Sequence, residues 1–115
     1  MLRKIPKKAK RASRWRSQAH LSHVRSHACV ACDCDVRTMI EAAHVRIGSG
    51  TGMGQKPDDW RAVPLCKVCH AQQHEIGERT FWDRLALDPE TVIVELIKGS
   101  PRRTEINAER SERND

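Results

Sequence analysis

Aromatic side chains are scarce in this chain of 115 residues: three tryptophans, one phenylalanine and no tyrosine make up 3%, within a hydrophobic share of 38%. That scarcity excludes a large apolar core. A single domain so lean ordinarily needs a metal or disulfides as a staple. No apolar run approaches the roughly 20 residues of a membrane span, so no membrane partner is expected. Met1 to Arg16 is basic and lacks an apolar stretch of h-region length. No secretory leader is expected from it, and the predicted location is cytoplasmic. Acids are missing from the first sixteen residues, where Arg3, Lys4, Lys7, Lys8, Lys10, Arg11, Arg14 and Arg16 fall. Such a block is either a solvated tail or an arm that contacts phosphates with salt-sensitive, sequence-independent affinity. The net charge of +6 favours a polyanionic partner.

Five cysteines are present, four of them as two Cys-x-x-Cys pairs, Cys29/Cys32 and Cys66/Cys69. In a reducing compartment such pairs suit metal better than disulfides. Each turn places two thiolates on one side of an ion, and two turns close a tetrahedral zinc shell. The competing reading is a set of buried thiols without metal. Cys34 either replaces Cys32 as a ligand or stays a free thiol on the turn Asp33-Cys34-Asp35. Nothing around the pairs has the βαβ context of a redox motif.

Residues 1–12 are expected to form a basic disordered arm. Helical spacing of Trp15, Ala19, Leu21 and Val24 predicts a helix between Ser13 and about His27. Thr38 to Ala43 reads as a short strand ending at His44. The glycines of the segment Gly48 to Asp59 mark a loop, and Trp60 to Leu65 is a second strand candidate. A helix should start near Lys67 or Cys69 and stop at Gly77, and another should run from Arg79 to Ala86 with Phe81, Trp82 and Leu85 buried. Asp88-Pro89-Glu90 resembles a helix N-cap followed by proline at the first turn, although Thr91-Val-Ile-Val leaves a strand open. From residue 100 to 115 the chain is charged and is expected to be a flexible tail.

The six histidines differ in promise. His20, His23 and His27 would share one helix face, either a metal face or, more ordinarily, a partly buried polar one. His70 and His74 are one turn apart directly after a thiolate pair. They are either helix-surface histidines or a half-site for a second, catalytic metal. His44, at a strand end opposite that helix, is either a packed side chain or a base that takes a proton from water attacking a phosphodiester.

Taken in order, a CxxC pair, a strand with a terminal histidine, a loop and L-C-x-x-C-H-x-x-x-H resemble an HNH endonuclease of the ββα-metal (His-Me finger) type. The string I-E-A-A-H-V-R-I-G-S-G-x-G-M-G-Q-K-P-D-D-W-R-A-V-P-L-C-x-x-C-H-x-x-x-H-E-x-G-E-R-T-F-W is similar to small phage and prophage nucleases of the Ref and YbcO kind, over about Arg25 to Trp82. The resemblance implies a small α+β domain at 13–99 with flanking helices. Its core, about 38–77, would be a hairpin and helix gripping one divalent ion, with Cys29, Cys32, Cys66 and Cys69 holding a structural zinc behind it. His44 takes the position of the general base, normally oriented by a carbonyl on its ring N–H. His70 and His74 take the positions that bind a catalytic divalent ion (Mg, Mn, Ni or Zn). Two positions depart from the pattern. Ala43 stands where an aspartate or histidine ligand is common, and Asp59, Trp60 and Arg61 stand where an asparagine is expected. Asp58 and Asp59 are candidates for the missing ligand.

The activity implied is metal-dependent hydrolysis or nicking of DNA with little sequence specificity. Arg46, Lys8, Arg11, Arg14 and Arg16 would hold the backbone, and the glycine loop would allow close approach to phosphate. The rival reading is a zinc-stapled nucleic-acid-binding module without catalysis, favoured by Ala43 and the absent asparagine.

Overall fold

The computed structural model describes residues 14–52 and 55–114, so the predicted arm at 1–12 lies outside the described residues. Among the described residues the fold is a small α+β domain with a two-stranded antiparallel sheet and five α-helices. Strand β1 is Ile40–His44 and β2 is Ala62–Cys66, paired from Ile40 opposite Cys66 to His44 opposite Ala62. Each strand is preceded by a 3-10 turn, Arg37–Met39 and Asp59–Arg61. These turns occupy the first residues of both predicted strands and shift the observed ones by about two positions. Past the ladder, Val45 N–H donates to Arg61 O at 3.0 Å, extending the hairpin one step.

Every residue of β2 is buried, so the strand reads as an apolar run rather than an alternation. Its two edges explain how it accommodates Pro64. Proline cannot donate to a ladder, but Pro64 O accepts Val30 N–H at 3.0 Å from the first cysteine turn. That turn is itself tightened by Cys29 N–H to Cys34 O and Asp33 N–H to Cys29 O, both at 2.9 Å. Asp33 adopts a positive φ of 66° there, which Asp tolerates better than most residues.

Helix α1, Gln18–Arg25, starts at Ser17, whose hydroxyl accepts His20 N–H at 3.1 Å. Helix α2, Lys67–Ile76, follows β2 without a linker. The Cys66 sulfur caps it by accepting Cys69 N–H at 3.5 Å, and Gly77 at φ 90° ends it. Helix α3, Glu78–Leu85, buries Phe81 and Trp82, with Leu85 only half-buried. Helix α4, Pro89–Lys98, resolves the strand alternative for Thr91–Val94. Asp88 accepts Glu90 N–H at 3.0 Å and Pro89 fills the first turn, so the local start signal overrides the β-branched run. Helices α1, α2 and α4 all pack on β2, and Val24, Val63, Leu65 and Ile93 are almost fully buried in the shared core. Each such side chain contributes about 1.5–3 kcal/mol by leaving water.

The expected tail at 100–115 is corrected. Arg103–Asn114 is helix α5, packed on α4, with Ile106 fully buried. Its order depends on remote polar partners: Trp15 Nε1–H donates to Glu105 at 3.2 Å, and Arg113 pairs with Asp58 at 2.9 Å. One buried isoleucine and two long-range polar contacts hold a segment whose composition alone resembles a tail.

The predicted histidine face of α1 is structural. His20 is fully buried, with Nδ1 2.8 Å from Ser100 Oγ and its ring edge-on to Trp15. His23 Nε2 bonds Leu96 O at 2.9 Å, and His27 Nδ1 bonds His23 O at 2.9 Å. Burial, then the neighbouring His23, lower the His20 pKa from 6.5 to about 4. The unfolded chain therefore binds a proton that the folded chain rejects between those values. Stability falls as pH drops from 6.5 towards 4, by up to about 3 kcal/mol for this group. Denaturant titrations at several pH values should show a shallower acid slope for His20→Asn than for the parent. Equal slopes in the two proteins would refute the assignment.

Candidate functional site

Cys29, Cys32, Cys66 and Cys69 offer sulfur atoms within 4.8 Å of one another, the one cluster of three or more His, Cys, Asp or Glu ligands among the described residues. Cys32 Sγ and Cys66 Sγ are 3.7 Å apart. Thiolates each about 2.3 Å from a tetrahedral ion stand about 3.8 Å apart, so the spacing fits a structural metal. Cys34 is half-buried and outside the cluster; its carbonyl, rather than its sulfur, supports the turn. The thiols also oppose one another. The Cys69 N–H pulls the Cys66 thiol down to about 7, whereas burial pushes the Cys69 thiol up. A divalent cation is what allows all four to be thiolates together.

His44 ends β1, and its Nε2 lies 2.8 Å from Asp59 Oδ1. Asp59 is buried and also accepts Ser17 N–H at 2.8 Å and an Arg16 N–H at 3.4 Å. Its oxygens are therefore acceptors, and Nε2–H of His44 is the donor. That tautomer leaves the Nδ1 lone pair available, and Nδ1 has no hydrogen-bond partner among the described residues. Burial lowers the His44 pKa, with the Asp59 contact opposing it, so the ring stays neutral at physiological pH. The expected carbonyl orienter is replaced by a carboxylate.

His70 and His74 occupy one face of α2 with their Nε2 atoms 3.2 Å apart. Two nitrogens about 2.1 Å from one ion, at octahedral or tetrahedral angles, lie about 3.0–3.4 Å apart. On its other nitrogen, His70 Nδ1 is 2.8 Å from Glu41 Oε1, and Lys67 Nζ is 3.4 Å from Glu41 Oε2. The bond to His70 is the main reason the Glu41 carboxyl is held below its usual range. Glu41 thereby fixes Nε2 of His70 as the free nitrogen, the arrangement that orients metal-ligating histidines. His44, His70 and His74 line one cavity of about 320 Å³, together with Arg46 and Lys56.

The other predicted residues are placed differently. Asp58 is buried and accepts Trp15 N–H at 2.6 Å, besides pairing with Arg113 and Arg14. Neither Asp58 nor Asp59 joins the histidine pair as a third ligand, because both are occupied in holding the chain segment 14–17. Arg46 lines the cavity while its guanidinium clasps the glycine loop, donating to Gly52 O at 2.8 Å and to Gln55 O. Arg16 donates to Lys56 O at 3.0 Å and to Pro57 O. Lys8 and Arg11 lie outside the described residues. In the place of the absent asparagine, Arg61 is buried and ties Val45 O and Ile47 O to Glu90. Glu41 and Lys56 escaped the sequence reading. The signal for Glu41 was its position one strand residue from the β2 end that leads into α2, visible once the register is known.

These features define a small α+β protein with a four-cysteine cluster that could bind a metal, beside a histidine cleft. A family described as "Protein of unknown function (DUF968)" matches residues 2–92, and the chain belongs to that family. Among curated proteins none matches the chain, and no solved structure does.

Protein purified without chelator should carry about one zinc per chain by elemental analysis. Cys69→Ser should lose most of that metal and unfold at markedly lower denaturant, since structural zinc contributes on the order of 10 kcal/mol in small domains. Metal-free protein of unchanged stability would remove the four-thiolate site.

Proposed function

We propose that β1, β2 and α2 form a ββα-metal unit and that the protein is a metal-dependent DNA endonuclease. The observation that carries this reading is the convergence in one cleft of an imidazole oriented by Asp59 and a histidine pair of which His70 is oriented by Glu41. His44 would accept the proton of the attacking water at Nδ1, with Asp59 holding the ring and stabilising the imidazolium that results. His70 and His74 would hold the divalent ion, and Glu41 would orient His70. When bound, such an ion supplies Lewis-acid stabilisation of charge on the departing oxygen. With two protein ligands only, the remaining positions are left for water and phosphate. Lys56 and Arg46 add positive charge at the same cleft, which suits the phosphodiester backbone and predicts little sequence preference. The four-cysteine site, read as structural zinc, would set the start of α2 and so the histidines.

The alternative of a non-catalytic nucleic-acid-binding module draws on the same two-histidine shell, which lacks a third protein ligand among the described residues. Plasmid nicking in Mg²⁺, Mn²⁺ or Ni²⁺ separates the two. His44→Ala is expected to lower nicking at least about 100-fold while DNA binding persists. Wild-type protein free of contaminating nuclease that never nicks with any of these ions would leave the binding module standing. Glu41→Gln should raise the metal concentration for half-maximal nicking about 10-fold or more without abolishing it. Because burial lowers the His44 pKa, nicking should be lost on acidification only below the ordinary imidazole range near 6.5. A rate that already falls between pH 8 and 7 would contradict His44 as the base.

A further inference from the structure

A second cavity of about 440 Å³ lies between the Gly48–Ser49 loop, the turn at 59–61, the start of α4 and helix α5. Four arginines line it, Arg14, Arg61, Arg110 and Arg113, against two carboxylates, Asp58 and Glu90. The carboxylates are already shared out. Asp58 faces both Arg14 at 3.8 Å and Arg113 at 2.9 Å, and Glu90 is paired with Arg61. Arg113 also lies over the Trp60 ring, 5.4 Å from its centroid. Arg110 is half-buried and has no hydrogen-bond or ion-pair partner among the described residues. The cavity therefore holds an excess of guanidinium charge, and the Arg110 guanidinium is uncommitted among the described residues, in a partly dehydrated place.

Guanidinium groups are weakly hydrated planar donors that match the oxygens of phosphate. Two further observations favour a chain of phosphates over a single small anion. Arg14 lines this cavity, and the sequence immediately before it carries Arg3, Lys4, Lys7, Lys8, Lys10 and Arg11 without an acid. Adjacent residues also serve both cavities: Asp58 lines this one, and Asp59 bonds His44, which lines the other. We infer that the arginine cavity between the 48–49 loop and α5 is a second backbone-phosphate site for nucleic acid, separate from the histidine cleft, with Arg110 as its free donor.

This inference rests on the nucleic-acid partner proposed above but not on catalysis. The test is fluorescence anisotropy of a labelled duplex DNA of mixed sequence, with zinc-loaded full-length protein carrying His44→Ala and no added divalent ion. Arg110→Gln should weaken binding about three- to tenfold and reduce the slope of log K against log salt by about 0.9. Arg110→Lys should keep the parent's slope, and unchanged zinc content and helicity in both variants show that the fold is intact. Affinity and salt slope in Arg110→Gln equal to the parent's would overturn the inference, as would a parent that binds no DNA. Weakened binding by an acidic peptide instead of DNA would reassign the cavity to a protein partner and equally overturn it. Nicking by the wild-type chain, measured separately, decides the nuclease reading. Nicking with no effect of Arg110→Gln defeats this inference alone, and an Arg110 effect without nicking defeats only the catalytic reading.

Discussion

Cys66 is held by three constraints at once, and the placement of the histidine cleft depends on them. It ends β2, it caps α2 through its sulfur, and that same sulfur lies in the four-thiol cluster. A strand that passes into a helix without a linker has almost no freedom in the angle between them. The position of His70, one residue beyond Cys69, is thereby set relative to β1, whose Glu41 reaches it. The Val30–Pro64 hydrogen bond brings the first cysteine pair to the same strand. Small domains have little core to spare, and a metal on the sulfur cluster would add a staple at this junction.

The neighbouring aspartates do comparable work with charge. Asp58 and Asp59 collect backbone N–H groups of Trp15 and Ser17 and the guanidinium groups of Arg14, Arg16 and Arg113. Buried carboxylates are costly unless so paired, and here the pairing is nearly complete. Asp59 accepts from Ser17 N–H through Oδ2 and faces His44 through Oδ1. The carboxylate that the motif suggested as a metal ligand is instead the group that selects the imidazole tautomer.

Much of the domain was legible in local sequence. Capping residues foretold α4 at Asp88 and the end of α2 at Gly77, and the cysteine spacing foretold the thiol cluster. What escaped was non-local. Helix α5 contributes one large apolar side chain, and its order comes from Asp58 and Trp15, which are far away in the chain. The strand starts were misplaced because Asp59–Arg61 forms a 3-10 turn whose buried Arg61 bonds Val45 and Ile47, contacts that exist only after the hairpin has formed. Glu41 carries no local signal, and only the strand register brings it beside α2. Residue types and order were enough to put His44, His70 and His74 forward as candidates, and the structure gathers them in one cleft. Their orienting partners needed three dimensions.

The shell around Asp58 also bears on timing. Residue 58 receives Arg113 only after the chain has been made that far, and Trp15 meets Glu105 across an even longer interval. Contacts of such separation form late, since loop closure must precede their reward. During synthesis the hairpin and the cysteine turns can assemble while residues 14–17 are still loosely held. The bond of His44 to Asp59 spans a much shorter stretch of chain, so it can form with the hairpin, before Arg113 reaches Asp58. A nascent chain would thus hold His44 against Asp59 within the hairpin before helix α5 closes over the segment 14–17.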